Sequence, residues 1–178
     1  MLRVILAVFA LFSFASVAAY PDFTGGCKAG TSVGDSHLTA KSKGALSGLK
    51  LQVRIGGKTL APNRAFTVKP GTSVPISIVS TGGNTFRGFQ FRISSGSTDT
   101  TTWLGVGTDK NVQIDQWCQD LKVGGISHNN KKEKKNVAGT LKIPSAATGI
   151  SLEVTIVVTN GHGNPSVWYK SNYKLVAK

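Results

Sequence analysis

The chain has 178 residues, 21 Lys and Arg against 8 Asp and Glu, a formal charge of +13, and two cysteines. Its length fits one domain with a real core, and two cysteines are too few for a small scaffold held together by disulfides. The positive excess suits polyanions such as sulfated glycans, anionic walls or membranes, and nucleic acid; it also serves simply to keep a protein soluble.

Residues 1–19 read as a secretory signal peptide. Met1-Leu2-Arg3 supplies one charge, Val4–Phe14 is apolar, and Val17-Ala18-Ala19 is a small-residue cleavage site before Tyr20. Without Arg3 the remaining chain carries 20 Lys and Arg against 8 acids, or +12. No later stretch reaches the ~20 apolar residues of a membrane helix. The expected compartment is therefore extracellular. Cys27 and Cys118 then most simply form one disulfide, tying the mature N-terminus to a point some ninety residues on. In the chain-entropy model a loop of that size contributes about 4–5 kcal/mol. A metal or thiolate site would need further ligands at suitable spacing, and none are near.

Tyr20–Gly48 is rich in Gly, Ser, Thr and Lys and reads as a long N-terminal loop. Leu49–Ile55 alternates strictly, with Lys50, Gln52 and Arg54 outward, and Gly56-Gly57 turns the chain. Ala65–Val68 is a short strand. Val74–Ser80 is another, in which Pro75 predicts an edge strand or an early strand position. Thr85–Arg92, T-F-R-G-F-Q-F-R, is the densest aromatic cluster of the chain. Phe86, Phe89, Phe91 and Ile93 suggest a core strand, Phe86–Ser94, with Gln90 and Arg92 on its other face. Gly88 there allows a close approach.

Ser95–Thr102 reads as a loop, Trp103–Val106 and Asn111–Asp115 as short strands, and Gly124–Asn136 as a polar loop. Val137–Ile143 is a strand ended by Pro144. Ser151–Thr159 is the longest strand, with Leu152, Val154, Ile156 and Val158 on one face and Glu153 and Thr155 on the other. Asn160–Pro165 is a loop, and Ser166–Val176 closes the chain. No stretch holds a helical period over three turns. About eight strands with frequent turn signals predict an all-β, antiparallel β-sandwich. No internal repeat or second domain is visible, so residues 20–178 form a single unit.

Four stretches together resemble the reeler domain, a secreted immunoglobulin-like sandwich module. They are Tyr20-Pro21 with Gly26-Cys27, F-R-G-F at Phe86–Phe89, Cys118 followed by G-G-I-S-H-N-N at Gly124–Asn130, and P-S-A-A-T-G at Pro144–Gly149 ahead of a long strand and a closing V-W-Y. The resemblance spans nearly the whole mature chain. It implies an immunoglobulin-like fold, pairing of Cys27 with Cys118, and a role in matrix, adhesion or insect-type defence. It also places His128 beside the buried disulfide, where it hydrogen-bonds backbone.

Little in the sequence asks for catalysis. The acids Asp22, Asp35, Asp99, Asp109, Asp115, Asp120, Glu133 and Glu153 are scattered, and His37, His128 and His162 lie far apart. There is no G-x-S-x-G elbow and no phosphate loop. The expected mature residue is Tyr20, whereas secreted copper oxygenases that attack polysaccharides ligate copper through an N-terminal His. The reading is a non-enzyme without cofactor or metal, and a monomer. Two surfaces are candidates for an acidic or sulfated glycan or another extracellular polyanion. One is Lys131, Lys132, Lys134 and Lys135 in a charged loop. The other is the last strand, where Trp168, Lys170 and Lys174 face outward if Tyr169, Tyr173 and Leu175 face inward. Nucleic acid is not an expected partner. The alternatives are a polysaccharide-active enzyme, or a structural module whose sheet edges pair with a partner.

Overall fold

The computed structural model describes residues 41–42, 45–158 and 167–178. The expected signal peptide at residues 1–19, the Tyr20–Cys27 stretch, His37 and the Asn160–Pro165 stretch with His162 lie outside them. Twelve strands occur among the described residues: β1 Lys41–Ser42, β2 Leu51–Ile55, β3 Lys58–Thr59, β4 Phe66–Val68, β5 Ser73–Ser80, β6 Gly88–Ser95, β7 Leu104–Gly105, β8 Val112–Ile114, β9 Gly124–His128, β10 Asn136–Lys142, β11 Ala147–Val158 and β12 Val167–Ala177. A 3-10 turn at Leu46–Leu49 and a one-turn helix, α1, at Gln116–Gln119 are the described helical pieces.

The strands form two sheets. One has five strands in the order β3-β2-β5-β10-β7. The other has seven, ordered β1-β12-β11-β6-β9-β8, with β4 also on β12. Most neighbours are antiparallel; β1 and β4 run parallel to β12, at opposite ends of it. Alternate side chains from the two sheets meet in the core. Val53, Ile76, Ile78, Val137 and Leu141 come from the smaller sheet, and Phe89, Phe91, Ile93, Ile126, Leu152, Val154, Ile156 and Leu175 from the larger. Each buried aliphatic or aromatic side chain of this kind contributes about 1.5–3 kcal/mol. This is the all-β, immunoglobulin-like sandwich that the sequence predicts.

In the five-stranded sheet the period-two reading holds. Leu51, Val53 and Ile55 are buried, and Gln52 and Arg54 half-buried between them. Pro75 sits early in its strand, yet β5 is not an edge strand, because it pairs with β2 on one side and β10 on the other. Pro75 lies just past the last β2 pair, where only its carbonyl is engaged, accepting from the Gly56 N–H at 2.8 Å. A missing N–H costs nothing at such a place.

The seven-stranded sheet departs from expectation at several points: β1 lies in the stretch read as an N-terminal loop, and β1 and β4 pair in parallel with β12. Gly124–His128 is not loop but β9, buried at every residue and paired with β6 and β8. The G-G-I-S-H composition hides it, since two glycines and three mixed side chains carry no alternation. Furthermore, β6 is buried on both faces: Gln90 is 2% exposed and Arg92 9%. On the outer side Gln90 donates to the Asp115 carboxylate at 2.9 Å, and Cys118, on α1, lies fully buried beside it. Thr155 and Val157 on the same face of β11 are buried as well.

Three glycines make this layering possible. A Cβ on Gly125 would collide with Cys118 Sγ and Cβ, and one on Gly124 with the Thr100 carbonyl. A Cβ on Gly88 would stand 3.0 Å from His128 Cε1 and 3.1 Å from Val157 Cβ. Thr100, in the loop after β6, is wholly buried; it donates to the Ile93 carbonyl at 2.7 Å and accepts from the Gly124 N–H at 2.9 Å.

Candidate functional site

The aromatic stretch belongs to the core. Phe86, Phe89 and Phe91 are buried and meet edge-to-face, with ring centroids 6.4 and 5.8 Å apart. His128 is buried against Phe89, whose N–H donates to Nδ1 at 3.2 Å. Cys118 is wholly buried, and no cysteine among the described residues is free; Cys27 lies outside them.

The four loop lysines separate into two roles. Lys131, Lys132 and Lys135 are exposed. Here the structure corrects the sequence reading, because Lys134 is only 4% exposed. Its backbone forms an antiparallel bridge with Phe86, with N–H···O distances of 2.9 and 2.8 Å. That bridge turns the side chain inward. Its ammonium donates to the carbonyls of Arg87 at 2.8 Å, Asn130 at 2.8 Å and Lys132 at 2.7 Å. All three donors of a lysine are thereby occupied. Burial pushes the Lys134 pKa down to about 8, against an opposing pull from Asp109. The side chain is thus an internal staple of the loop rather than a point of contact.

The loop sits at one end of the sandwich. The β-ladders set Trp168, Val157 and Gly88 side by side on β12, β11 and β6, and the Arg87 N–H donates to the Val157 carbonyl at 3.1 Å. At about 4.8 Å per strand, the backbone of Trp168 lies about 10 Å from that of Gly88. Trp168 is half-buried. Lys170, on the same face, is held by Glu153 at 2.9 Å, with both side chains largely covered. The inward parity expected for β12 holds at Tyr173 and Leu175, which are buried, while Lys174 is exposed and Tyr169 half-buried. Lys174 lies six residues from Trp168, about 20 Å along the strand. It lines a different recess, of about 560 Å³, with Pro62, Ser151, Asn172 and Tyr173. The structure therefore brings Lys131, Lys132, Lys135 and Trp168 to one end and leaves Lys174 at the other.

Arg87 was not singled out by the sequence, although it stands inside F-R-G-F. It reaches the loop through Glu133, at 3.4 Å. Among the described residues, no group of three or more His, Cys, Asp or Glu is placed to hold a metal ion, and no helix is long and apolar enough to cross a membrane.

Two facing sheets, with the aromatic strand in the middle of the larger one, place the chain among immunoglobulin-like β-sandwich modules. The reeler domain model matches residues 58–176. The chain belongs to the reeler domain family. Among solved structures it is similar to the Reelin-N domain of F-spondin, at 14% identity and a TM-score of 0.58, covering 80% of this chain and 94% of that one. It is also similar to the human F-spondin reeler domain, at 13% identity and a TM-score of 0.57, covering 79% and 96%. At such identities the likeness establishes the fold. No curated protein matches the chain in sequence.

Proposed function

We propose that this chain is a secreted, non-enzymatic reeler module that engages polyanionic glycans or anionic surfaces through the basic corner formed by Lys131, Lys132 and Lys135, with Trp168 beside it. The observation that carries the reading is the division of labour in the loop. Lys134 pins three backbone carbonyls from inside, and three neighbouring lysines remain exposed on the pinned frame. A preorganised loop loses less entropy on binding than a mobile charge run. Lysines act there as point charges, so the contact selects charge density rather than a particular group. The signal-like N-terminus supports the extracellular assignment, and a Cys27–Cys118 disulfide fits it. A place in matrix, adhesion or defence is what the reeler resemblance suggests, and an extracellular compartment with a basic surface fits it.

Heparin-affinity chromatography tests this. The triple variant Lys131→Gln, Lys132→Gln, Lys135→Gln is expected to elute at clearly lower salt and with a shallower salt dependence than the parent protein. If the parent itself elutes no later than that triple variant, the loop is not a polyanion site.

A further inference from the structure

Next to the basic loop lies a recess of about 280 Å³ lined by Leu49, Asn84, Thr85, Phe86, Arg87, Glu133 and Val158. It falls just below the about 300–1,000 Å³ of pockets that take drug-sized ligands, so it suits a single ring. Leu49, Phe86 and Val158 supply apolar lining, and the other four residues supply polar groups. The Arg87 backbone is anchored on both sides: its N–H donates to Val157 O and its carbonyl accepts from Lys134 Nζ. Its guanidinium, by contrast, is only loosely engaged. The contact from Nη2 to Glu133 is 3.4 Å long, and the two side chains are 42% and 56% exposed. A surface pair of that kind contributes about 0–1 kcal/mol and yields readily to a competing anion. Thr85 Oγ1 also donates to Glu133 at 3.4 Å, so the carboxylate lies along the recess wall.

We infer that this recess is a subsite for a carboxylate-bearing sugar ring, a uronic acid unit of an acidic glycan. Arg87 holds the carboxylate, Glu133 accepts from ring hydroxyls, and the apolar lining meets the ring's C–H face. The inference rests on the polyanion reading and adds a specificity that the exposed lysines lack. A uronate carries its acid directly on the ring, so ring and charge fit one small recess together, and a planar carboxylate matches the guanidinium fork. A phosphate monoester, with about −1.5 to −2 charge, would meet stronger repulsion from Glu133. A sulfate ester stands off its ring by an oxygen and is served as well by the exposed lysines.

The test is an NMR titration of the mature protein with a hyaluronan hexasaccharide, which has carboxylates and no sulfate, and in parallel with dextran sulfate. Hyaluronan is expected to shift the amides of Thr85, Arg87 and Glu133. Arg87→Lys keeps the charge and both backbone anchors. It should weaken hyaluronan about tenfold, the order expected for loss of a bidentate pair, and leave dextran sulfate within about twofold. An unchanged amide spectrum elsewhere confirms that the variant is folded. Dextran sulfate binding without hyaluronan binding overturns the subsite and leaves the basic loop standing. The same holds for equal losses on both polymers, or for hyaluronan shifts confined to Lys131–Lys135. If neither polymer binds, the polyanion reading falls and the subsite with it.

Discussion

The two sheets of this sandwich obey different rules. The five-stranded sheet has one face on the core and one toward solvent, so β2 and β10 alternate between buried and open side chains. The seven-stranded sheet is covered on both sides at its centre. β6 and β9 are buried almost residue for residue, including Gln90, Arg92, Ser127 and His128. A polar side chain in the first sheet is therefore a surface residue. At the centre of the second, on β6 and β9, it is a buried group that needs a partner, as Gln90 finds in Asp115.

Substitutions can break this contrast, beginning where the double covering is tightest. Gly125→Val drives a side chain into Cys118, and Cys118 has no room to retreat because it is itself wholly buried. The expected loss is at or beyond the upper end of the about 1–3 kcal/mol of ordinary overpacking. Gly88→Val should cost less, since a ring and a side chain rather than a fixed sulfur stand in the way. Chemical denaturation of both variants gives the order. A Gly125→Val protein as stable as the parent would show that the outer layer is not packed as described.

Lys134→Met comes next. It leaves three carbonyls without their donor, but Arg87, Asn130 and Lys132 are not buried, so water replaces part of the loss and about 1–3 kcal/mol is expected in all. Lys134 also carries a pH signature. Its proton leaves near pH 8 in the fold and near its ordinary 10.5 in the unfolded chain. Between those values the unfolded state binds more protons, so this group's contribution to stability rises with pH and is at its least below 8. Burial raises the Tyr173 pKa, with the opposite sign above about pH 10, so the useful window is pH 8 to 10. Across it the parent should gain stability relative to Lys134→Met. Parallel curves for the two proteins would mean that Lys134 titrates as an exposed lysine.

The smallest effect is expected on the open face of the five-stranded sheet. Ala138 is exposed at the middle of β10, and Ala138→Thr should stay within about 0.5 kcal/mol of the parent. A loss comparable to that of Gly88→Val would mean that this face, too, is covered.

Much of the candidate site was hidden in the linear order. The lysine run is plain in the sequence, but its inward member is not. Only the bridge between Phe86 and Lys134 decides which of the four side chains turns in, and that contact spans 48 positions. The same bridge sets Arg87, inside F-R-G-F, beside Glu133. Trp168, Lys170 and Lys174 share a face by parity, as the alternation predicts. Yet distance along β12 separates Lys174 from the basic corner, and Glu153 takes up Lys170.

By itself the sequence determined the sandwich class, most of the strands and the family, because turn residues, period two and F-R-G-F are local signals. The sequence also suggests a close approach at Gly88, where a Cβ would stand 3.0 Å from His128 Cε1. Tertiary structure alone decided that G-G-I-S-H is an interior strand, that β6 has no solvent face, and that one lysine of the loop is a staple. The physical reason is the same each time. Burial on a second face and the capture of an ammonium by three carbonyls depend on what other segments bring near, and neither leaves a periodic trace along the chain.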